Sequence, residues 1–243
     1  MILLPHPDDE LFLLPWLQRW QAKGWKLYLV YLTDGGATAN PAVRQRETEK
    51  VMARFCSQAT VWFLGMEYGV PDGKLLDHAQ LVLETLNKHL PTPNRVIAPA
   101  WEGGHHDHDV TAALAFAFAS VRGLPHHVWS YPLYHGKGFP GQLFRISSPL
   151  PANGPHHYLP ASCWQTLRAA MQMRTYRSQW RTMLAFSPSV LTKALLRPVL
   201  PLARIRKSRL LSRPHAGKLL YERRFRVPYE RVAQVVQKLL NQS

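Results

Sequence analysis

Short apolar segments alternate with amphipathic segments from the amino terminus to Tyr131. Five of the apolar segments are four to eight residues long and rich in aromatic or branched side chains, which is typical of buried strands. The segments between them have helical spacing. Strands that alternate with helices pair in parallel, and the helices cover both faces of the sheet. The sequence therefore predicts an α/β fold, a three-layer sandwich with a mostly parallel sheet.

The individual elements follow from this periodicity. The predicted strands are residues 1–5, 25–32, 60–64, 95–98 and 127–131. The predicted helices are residues 41–55, 77–90, 110–121, 163–185 and 230–240. A further helix follows Glu10, and Pro15 either kinks it or delays its start. Residues 65–73 and 101–109 are predicted loops, and residues 221–227 are a predicted strand.

The last third of the chain has a different composition. Residues 186–213 are Leu-rich and basic, and four prolines are expected to break the segment up to residue 214 into short pieces. Residues 193–226 contain 11 Lys or Arg and one acid, Glu222. We predict one domain over residues 1–185 and a basic helical extension over residues 186–243 that packs on it. The extension could contact nucleic acid, an anionic membrane or a phosphorylated substrate, or be a solvated surface.

Several other classes of protein are not predicted. No run of about 18 apolar residues occurs, so no spanning helix is expected. Polar residues 6–9 lie where a secretory signal would be apolar, and we expect a cytoplasmic location. Cys56 and Cys163 match no CxxC spacing, so a thiolate metal site is not predicted and both are expected to be buried.

Two polar clusters supply the candidate metal ligands. One follows the first predicted strand and contains His6, Asp8 and Asp9; the other follows the fourth and contains His105 and His108. The carboxyl ends of parallel strands meet at one edge of a sheet, where ligands bind. Catalytic zinc is held by three His or carboxylate ligands, and a carboxylate that is not a ligand can take a proton from water. The pattern predicts a metal-dependent hydrolase.

Both clusters resemble the motifs of a known family, the PIG-L or LmbE-like zinc-dependent N-acetylglucosaminyl de-N-acetylases. The first motif is Pro5-His6-Pro7-Asp8-Asp9-Glu10, and the second is Gly103-Gly104-His105-His106-Asp107-His108. Further similarity lies at residues 33–35, 44–47, 71–75 and 176–179, so the resemblance covers roughly residues 1–180. The stretch after Glu10 departs from the family, because it lacks a Gly-rich turn. The resemblance implies a Rossmann-like sheet.

The resemblance also implies a role for each residue of the two motifs. It implies zinc ligation by His6, Asp9 and His108, with Fe2+ as the alternative metal. Asp8 would be the general base, and His105 would polarise the substrate carbonyl or protonate the amine.

Arg44 and Asp72 match residues that bind the sugar in the family. From the residues alone, Arg44 could be an exposed helix residue, and Asp72 a turn former before Gly73. His106 is expected to face solvent, and Asp107 to orient a histidine.

The function implied is hydrolysis of the N-acetyl group of an N-acetylated amino sugar in a glycan, glycolipid or sugar conjugate. The basic extension adds a hypothesis, peripheral contact with an anionic membrane through residues 193–226. A nucleic-acid partner is not expected, because the basic segment lacks regular aromatic residues. The alternative is a basic, catalytically inactive protein that binds glycan or nucleic acid on the same fold. The sequence predicts no oligomeric state.

Overall fold

The structure is a computed structural model, and it describes residues 1–196 and 198–242. Arg197 and Ser243, which the predicted extension includes, lie outside the described residues. The strands are β1 (Ile2–Leu4), β2 (Tyr28–Tyr31), β3 (Thr60–Trp62), β4 (Val96–Pro99), β5 (Val128–Tyr131), β6 (Tyr134–His135), β7 (Arg145–Ile146), β8 (His157–Pro160) and β9 (Val199–Arg204).

The α-helices are α1 (Leu14–Ala22), α2 (Pro41–Phe55), α3 (Leu64–Glu67), α4 (Leu75–His89), α5 (His106–Ser120), α6 (Cys163–Ala170), α7 (Trp180–Leu196), α8 (Lys207–Leu210), α9 (Leu220–Arg224) and α10 (Tyr229–Asn241). Short 3-10 helices lie at Asp9–Phe12, Pro125–His127, Pro151–Asn153, Met171–Thr175 and Arg177–Gln179.

Seven of these strands belong to one mostly parallel sheet, and β6 pairs with β7 in a separate antiparallel ribbon. The chain forms two compact units. We call residues 2–72 and 158–200 the amino-terminal unit, and residue 1 with residues 73–157 and 201–242 the carboxyl-terminal unit. The division predicted at residue 185 stays a prediction.

The amino-terminal unit is built on three parallel strands in the order β3-β2-β1. Leu3 of β1 lies opposite Val30 of β2, and both side chains are buried. Strands buried on both faces read as continuous apolar runs, which is why β1 and β2 were recognisable from the sequence. Helix α2 has the predicted bounds, with Asn40 as its cap. Pro15 delays α1 rather than kinking it, because it is the second residue of that helix.

The carboxyl-terminal unit has β4 parallel to β5, and β9 antiparallel to β5 through Ser130 and Ala203. Helix α5 is buried from His106 to Ala119, and α4 and α10 pack against it. A helix that is apolar on all sides is a core helix. The polar residues of its first turn are therefore carried into a buried position.

Helix α5 begins four residues earlier than predicted, at His106 instead of Val110. The side chain of His105 accepts a hydrogen bond from the backbone N–H of Asp107, which caps the helix. Asp107 and Asp109 lie in the first turn, where the helix dipole favours acids. The predicted loop at residues 101–109 therefore ends at the cap.

The structure differs from the predictions for the last third of the chain at four points. The helix predicted at residues 163–185 is divided into α6, two 3-10 helices and the start of α7. Pro188 does not break α7, in which the hydroxyl groups of Ser187 and Thr192 donate to carbonyls one turn earlier. Strand β9 was missed because Pro201 interrupts its pattern. The strand predicted at residues 221–227 is instead α9, whose first turn is stabilised by Glu222.

Cys56 is buried as expected, whereas Cys163 is exposed at the start of α6. The loop predicted at residues 65–73 contains the short helix α3 at its start. Within residues 1–196 and 198–242, no helix combines the length and the hydropathy that a membrane span requires.

One close backbone approach supports the amino-terminal unit. A Cβ atom added to Gly65 would lie 2.2 Å from the carbonyl carbon of Thr33. Gly65 thus lets α3 pack directly on the loop that follows β2.

We predict that Gly65→Ala destabilises the protein by at least about 3 kcal/mol or prevents folding, because the clash is with backbone atoms. Urea denaturation measures the change. Gly123→Ala is the control: its Cβ would meet no atom within 4 Å, although φ is +72°. That positive φ costs about 1–2 kcal/mol. Equal losses in the two variants contradict the packing argument.

Candidate active site

His6 lies beyond the end of β1, between two carboxylates of the amino-terminal unit. Its Nδ1 lies 3.3 Å from Oδ2 of Asp9, and its Nε2 lies 3.1 Å from Oδ1 of Asp72. The backbone N–H of His6 also donates to Asp9, at 3.0 Å. His6 and Asp9 are 7% and 6% exposed. The structure therefore brings together His6 and Asp9, two of the three predicted ligands, and Asp72. The sequence had left Asp72 as either a sugar-binding residue or a turn former.

Asp8 has an unusual backbone conformation for a residue that is not glycine. Its φ is 120°, outside the regions that L residues normally adopt. Its Oδ2 lies 2.9 Å from Nη2 of Arg44. Burial raises the pKa of Asp8 to about 7, although the charge of Arg44 opposes the shift. The neighbouring carboxylates of Asp9 and Glu10 add to the rise. Asp8 and Asp9 thus point their carboxylates at different partners.

Arg44 of α2 links three polar loops. Its guanidinium donates to the backbone carbonyl of Gly35 at 2.7 Å and to the carbonyl of Pro7. It also forms ion pairs with Asp8 and, at 3.4 Å, with Asp72. The side chain is 3% exposed, so the interpretation of Arg44 as an exposed helix residue is wrong.

Asp72 is held at the same place by a second loop. Its backbone N–H donates to Oδ1 of Asp34 at 2.9 Å, and Asp34 also accepts from Gly36. Burial raises the pKa of Asp72, but the charge and hydrogen bond of His6 and the charge of Arg44 outweigh this effect. They hold the pKa of Asp72 well below its usual range. Asp72 is therefore ionised at neutral pH.

Two buried acids of this unit were not predicted as site residues. Glu10 is fully buried and accepts a hydrogen bond from the hydroxyl of Tyr176, and burial raises its pKa. Glu47 of α2 accepts from the backbone N–H and the hydroxyl of Ser178, at 3.0 and 2.5 Å. Both acids hold the segment at residues 176–179 in place. The resemblance to the family at those residues was the sequence signal that could have identified Glu10 and Glu47.

In the carboxyl-terminal unit, the cap of α5 fixes the tautomer of His105. Because Nδ1 of His105 accepts from the backbone N–H of Asp107 at 3.1 Å, the neutral ring carries its proton on Nε2. The ring centroids of His105 and His108 lie 5.3 Å apart, and both residues are buried. His105 can thus donate from Nε2 while remaining neutral.

Asp107 has no exposed surface, and its carboxylate accepts from the backbone N–H groups of Gly73 and Leu75, at 2.8 and 3.2 Å. Nε2 of His106 contacts the carbonyl of Gly73 at 2.9 Å, and His106 is 2% exposed. The expectation that His106 faces solvent is therefore wrong. Both side chains hold the start of α4 against α5, and the backbone of Asp107 orients His105.

The glycine before His105 is required by packing. A Cβ on Gly104 would lie 1.9 Å from the carbonyl oxygen of Tyr134. The same loop is held by Asp109, which accepts from the backbone N–H groups of Glu102 and Gly103. Burial raises the pKa of Asp109 to about 7, and those hydrogen bonds oppose the rise. Asp109 is a structural acid that the sequence did not single out.

Phe225 is a neighbour of the histidines that the sequence did not reveal. Its ring packs edge-on against His105 at 4.5 Å and against His106 at 5.6 Å. The side chain is 37% exposed. It follows α9, in the segment wrongly predicted as a strand, so no local signal placed it beside His105.

Each unit carries donor atoms that suit a metal ion. Asp9 and Glu10 are buried, and the side chains of Asp8 and Asp72 are 14% and 10% exposed. Among the described residues, Arg44 pairs with Asp8 and Asp72 only, and such a surplus of carboxyl groups favours a bound cation. The candidate ligands, each offering an imidazole nitrogen or a carboxylate oxygen, are His6, Asp9, Asp72, His105, Asp107 and His108. Nitrogen and oxygen donors of this kind suit zinc and iron.

We predict that Arg44→Met costs about 3–5 kcal/mol of stability, because it leaves buried carboxylates and carbonyls without a donor. Chemical denaturation measures the loss. Arg231→Met is the matched control, since it removes an exposed ion pair with Asp77. Exposed pairs contribute at most about 1 kcal/mol. If Arg44→Met costs no more than this control, Arg44 does not hold the loops together.

Comparison with solved structures supports the predicted fold. A conserved protein, TT1542 from Thermus thermophilus, is 20% identical, covers 84% of this chain and 94% of its own, and has a TM-score of 0.59. The A40926 pseudoaglycone deacetylase Dbv21 is 17% identical, and its match covers 84% of this chain and 97% of the deacetylase, with a TM-score of 0.57. N,N'-diacetylchitobiose deacetylase from Pyrococcus horikoshii is 19% identical, and its match covers 83% of this chain and 81% of that deacetylase, with a TM-score of 0.56. At these identities the likeness shows the fold, and the predicted α/β class is confirmed.

Sequence comparison gives the family. No curated protein sequence matches the chain. Residues 1–119 match the profile of the PIG-L family, described as GlcNAc-PI de-N-acetylase. This span includes both motifs, from Pro5 to His108, so the resemblance seen in the sequence is confirmed over residues 1–119. Its extension to residue 180 stays a prediction. Residues 1–119 thus match a PIG-L family domain, and this match covers 119 of the 243 residues of the chain.

Proposed function

We propose that the protein is a zinc-dependent hydrolase that removes the acetyl group from an N-acetylated amino sugar. The observation that carries the proposal is the arrangement of the two motifs. His6 and Asp9 lie together at the end of β1, while Asp8 points instead at Arg44. His105 and His108 lie together at the start of α5. The family match and the fold of known deacetylases support this assignment.

His6, Asp9 and His108 would hold the metal. These residues supply two imidazoles and one carboxylate, which is a usual ligand set for catalytic zinc. All three are buried, as a ligand set shielded from bulk water should be. When bound, the metal would polarise the amide carbonyl and make water more acidic. Fe2+ would be bound by the same donors, and metal analysis distinguishes the two.

Asp8 would act as the general base. Its carboxylate is oriented by Arg44 and by its own backbone conformation, so it is free of the contact that Asp9 makes with His6. It would take a proton from the water that attacks the acetyl carbon. A base whose pKa lies near neutrality can return that proton, and Asp8 would deliver it to the leaving amine. Water and amide thus give acetate and the free amino sugar.

His105 would stabilise the negative charge that develops on the carbonyl oxygen. The cap of α5 leaves its proton on Nε2, the nitrogen able to donate. A preorganised donor of this kind is worth about 3 kcal/mol in the transition state. Asp107 positions His105 through its backbone N–H, and its buried carboxylate is engaged with Gly73 and Leu75.

Asp72 and Arg44 are proposed to act on the sugar in different ways. The carboxylate of Asp72 is 10% exposed and ionised, so it could accept a hydrogen bond from a sugar hydroxyl. The guanidinium of Arg44 is already bonded to Gly35, Pro7 and both carboxylates. Arg44 would therefore contribute to sugar binding by positioning Asp72.

Contact of residues 193–226 with an anionic membrane is a further proposal. Not every cation of this segment is available for such a contact. Arg209, Arg213 and Arg223 donate to groups of their own unit, which leaves fewer cations for a membrane surface. The support that remains is apolar: Leu195 and Leu196 at the end of α7 are 54% and 76% exposed. Exposed apolar side chains beside basic ones are typical of interfacial helices.

We predict that replacing both Leu195 and Leu196 with Ser reduces co-sedimentation with anionic liposomes at low salt, because the apolar contact is lost. The matched control replaces Leu81 and Val121 with Ser. These two side chains are also exposed but lie outside α7. Failure of the unaltered protein to co-sediment rules out the membrane role.

We predict that Asp8→Asn lowers the rate of acetate release by at least about a hundredfold while metal content is retained, because an amide cannot take the proton. His108→Ala should instead lose metal. Acetate is measured over a panel of N-acetylated sugars, and metal by elemental analysis.

His126→Ala is the control for these variants, because His126 is an exposed histidine outside both motifs. It should keep both metal and activity. Near-normal turnover in Asp8→Asn would contradict the assignment of the base. Absence of acetate with every sugar, in protein that retains metal, would favour an inactive binding protein.

A further inference from the structure

A cavity of about 750 Å³ lies in the amino-terminal unit, lined by α2 and by the residues of the 3-10 helices at Met171–Thr175 and Arg177–Gln179. None of the proposed catalytic or metal residues lines it. Five of its lining residues are cations: Arg46, Lys50, Arg54, Arg174 and Arg177. We call this the basic cavity.

The cations form two walls. Arg46, Lys50 and Arg54 follow one another at intervals of four residues, so they lie on one face of α2. Arg174 and Arg177 come from the two 3-10 helices on the other side. All five side chains are exposed. Like charges in one cavity repel each other, and a bound anion would remove that cost.

No carboxylate neutralises these charges within the described part of the chain. The one acid that lines the cavity, Glu47, is buried and accepts from Ser178. Arg54 donates to the neutral oxygens of Gln172 and Thr175, at 3.1 and 3.4 Å. Among the residues that the structure describes, none of the five cations forms an ion pair with Asp or Glu.

The lining also indicates the chemistry of the ligand. None of the lining residues is aromatic, and Val43 is the one with an aliphatic side chain, so neither base stacking nor an acyl chain is favoured. Four arginines suit an oxyanion that accepts paired hydrogen bonds. Five positive charges exceed what one carboxylate would balance. The volume is that of a small-ligand site.

We propose that the basic cavity binds a phosphate or diphosphate group, carried either by a soluble phosphate ester or by a lipid headgroup. The site uses neither the metal nor the catalytic residues. It is therefore independent of the proposed deacetylase activity and can be tested by binding alone.

The test is calorimetric titration of the full-length protein with inorganic pyrophosphate, at about 50 mM and about 200 mM salt. The variant carries Arg46→Gln and Lys50→Gln together. Both positions are exposed on α2, so folding should be unaffected. We expect pyrophosphate to bind the unaltered protein, more weakly at high salt, and the double variant to bind at least about tenfold more weakly.

The matched control carries Lys23→Gln and Lys26→Gln, which remove the same charge from exposed positions outside the cavity. It should bind within about twofold of the unaltered protein. Chelation of a bound metal by pyrophosphate would affect both double variants equally. The proposal is overturned if pyrophosphate does not bind, or if both double variants lose affinity to the same extent.

A second arm identifies the source of the phosphate. Vesicles of phosphatidylcholine with about one fifth phosphatidic acid are compared with pure phosphatidylcholine vesicles. Binding to the acidic vesicles that requires Arg46 and Lys50 supports a lipid headgroup. Pyrophosphate binding that requires them, with vesicle binding absent or unchanged, supports a soluble phosphate ester.

Discussion

The guanidinium of Arg44 bonds to groups on three loops of the amino-terminal unit, and the arrangement of the first motif depends on it. Two of its partners are backbone carbonyls and two are the carboxylates of Asp8 and Asp72. In a buried site these acids would otherwise repel one another or take up protons. Arg44 keeps Asp8 directed away from His6, and this separation allows Asp8 and Asp9 different roles.

The second motif is organised by a helix cap instead of a charge. His105 caps α5, and the cap determines both where the helix begins and which nitrogen of the ring carries the proton. Gly104 permits the close approach of the loop to Tyr134, and Asp109 holds the loop backbone. The residues between the histidines are thus structural supports for the chemistry proposed for His105 and His108.

The sequence was sufficient to predict the α/β class, the bounds of α2 and the two motifs, because these depend on local periodicity and adjacent residues. It was insufficient where distant segments decide the outcome. Phe225 packs on His105 from a segment more than a hundred residues away, and Glu47 anchors Ser178 by a contact of similar range. Burial of His106 depends on the packing of α4 against α5. Pro188 and Pro201 led to wrong predictions of breaks, because α7 and β9 accommodate these prolines.

The central claim is that a metal ion and Asp8 together hydrolyse an N-acetyl amino sugar. The most direct measurement is acetate release by metal-stripped protein as Zn2+ or Fe2+ is added back in small steps. The account predicts no activity without metal and a rise that levels off at one metal ion per chain. Full activity in metal-free protein would contradict it, as would the absence of acetate from every N-acetylated sugar after the metal is restored.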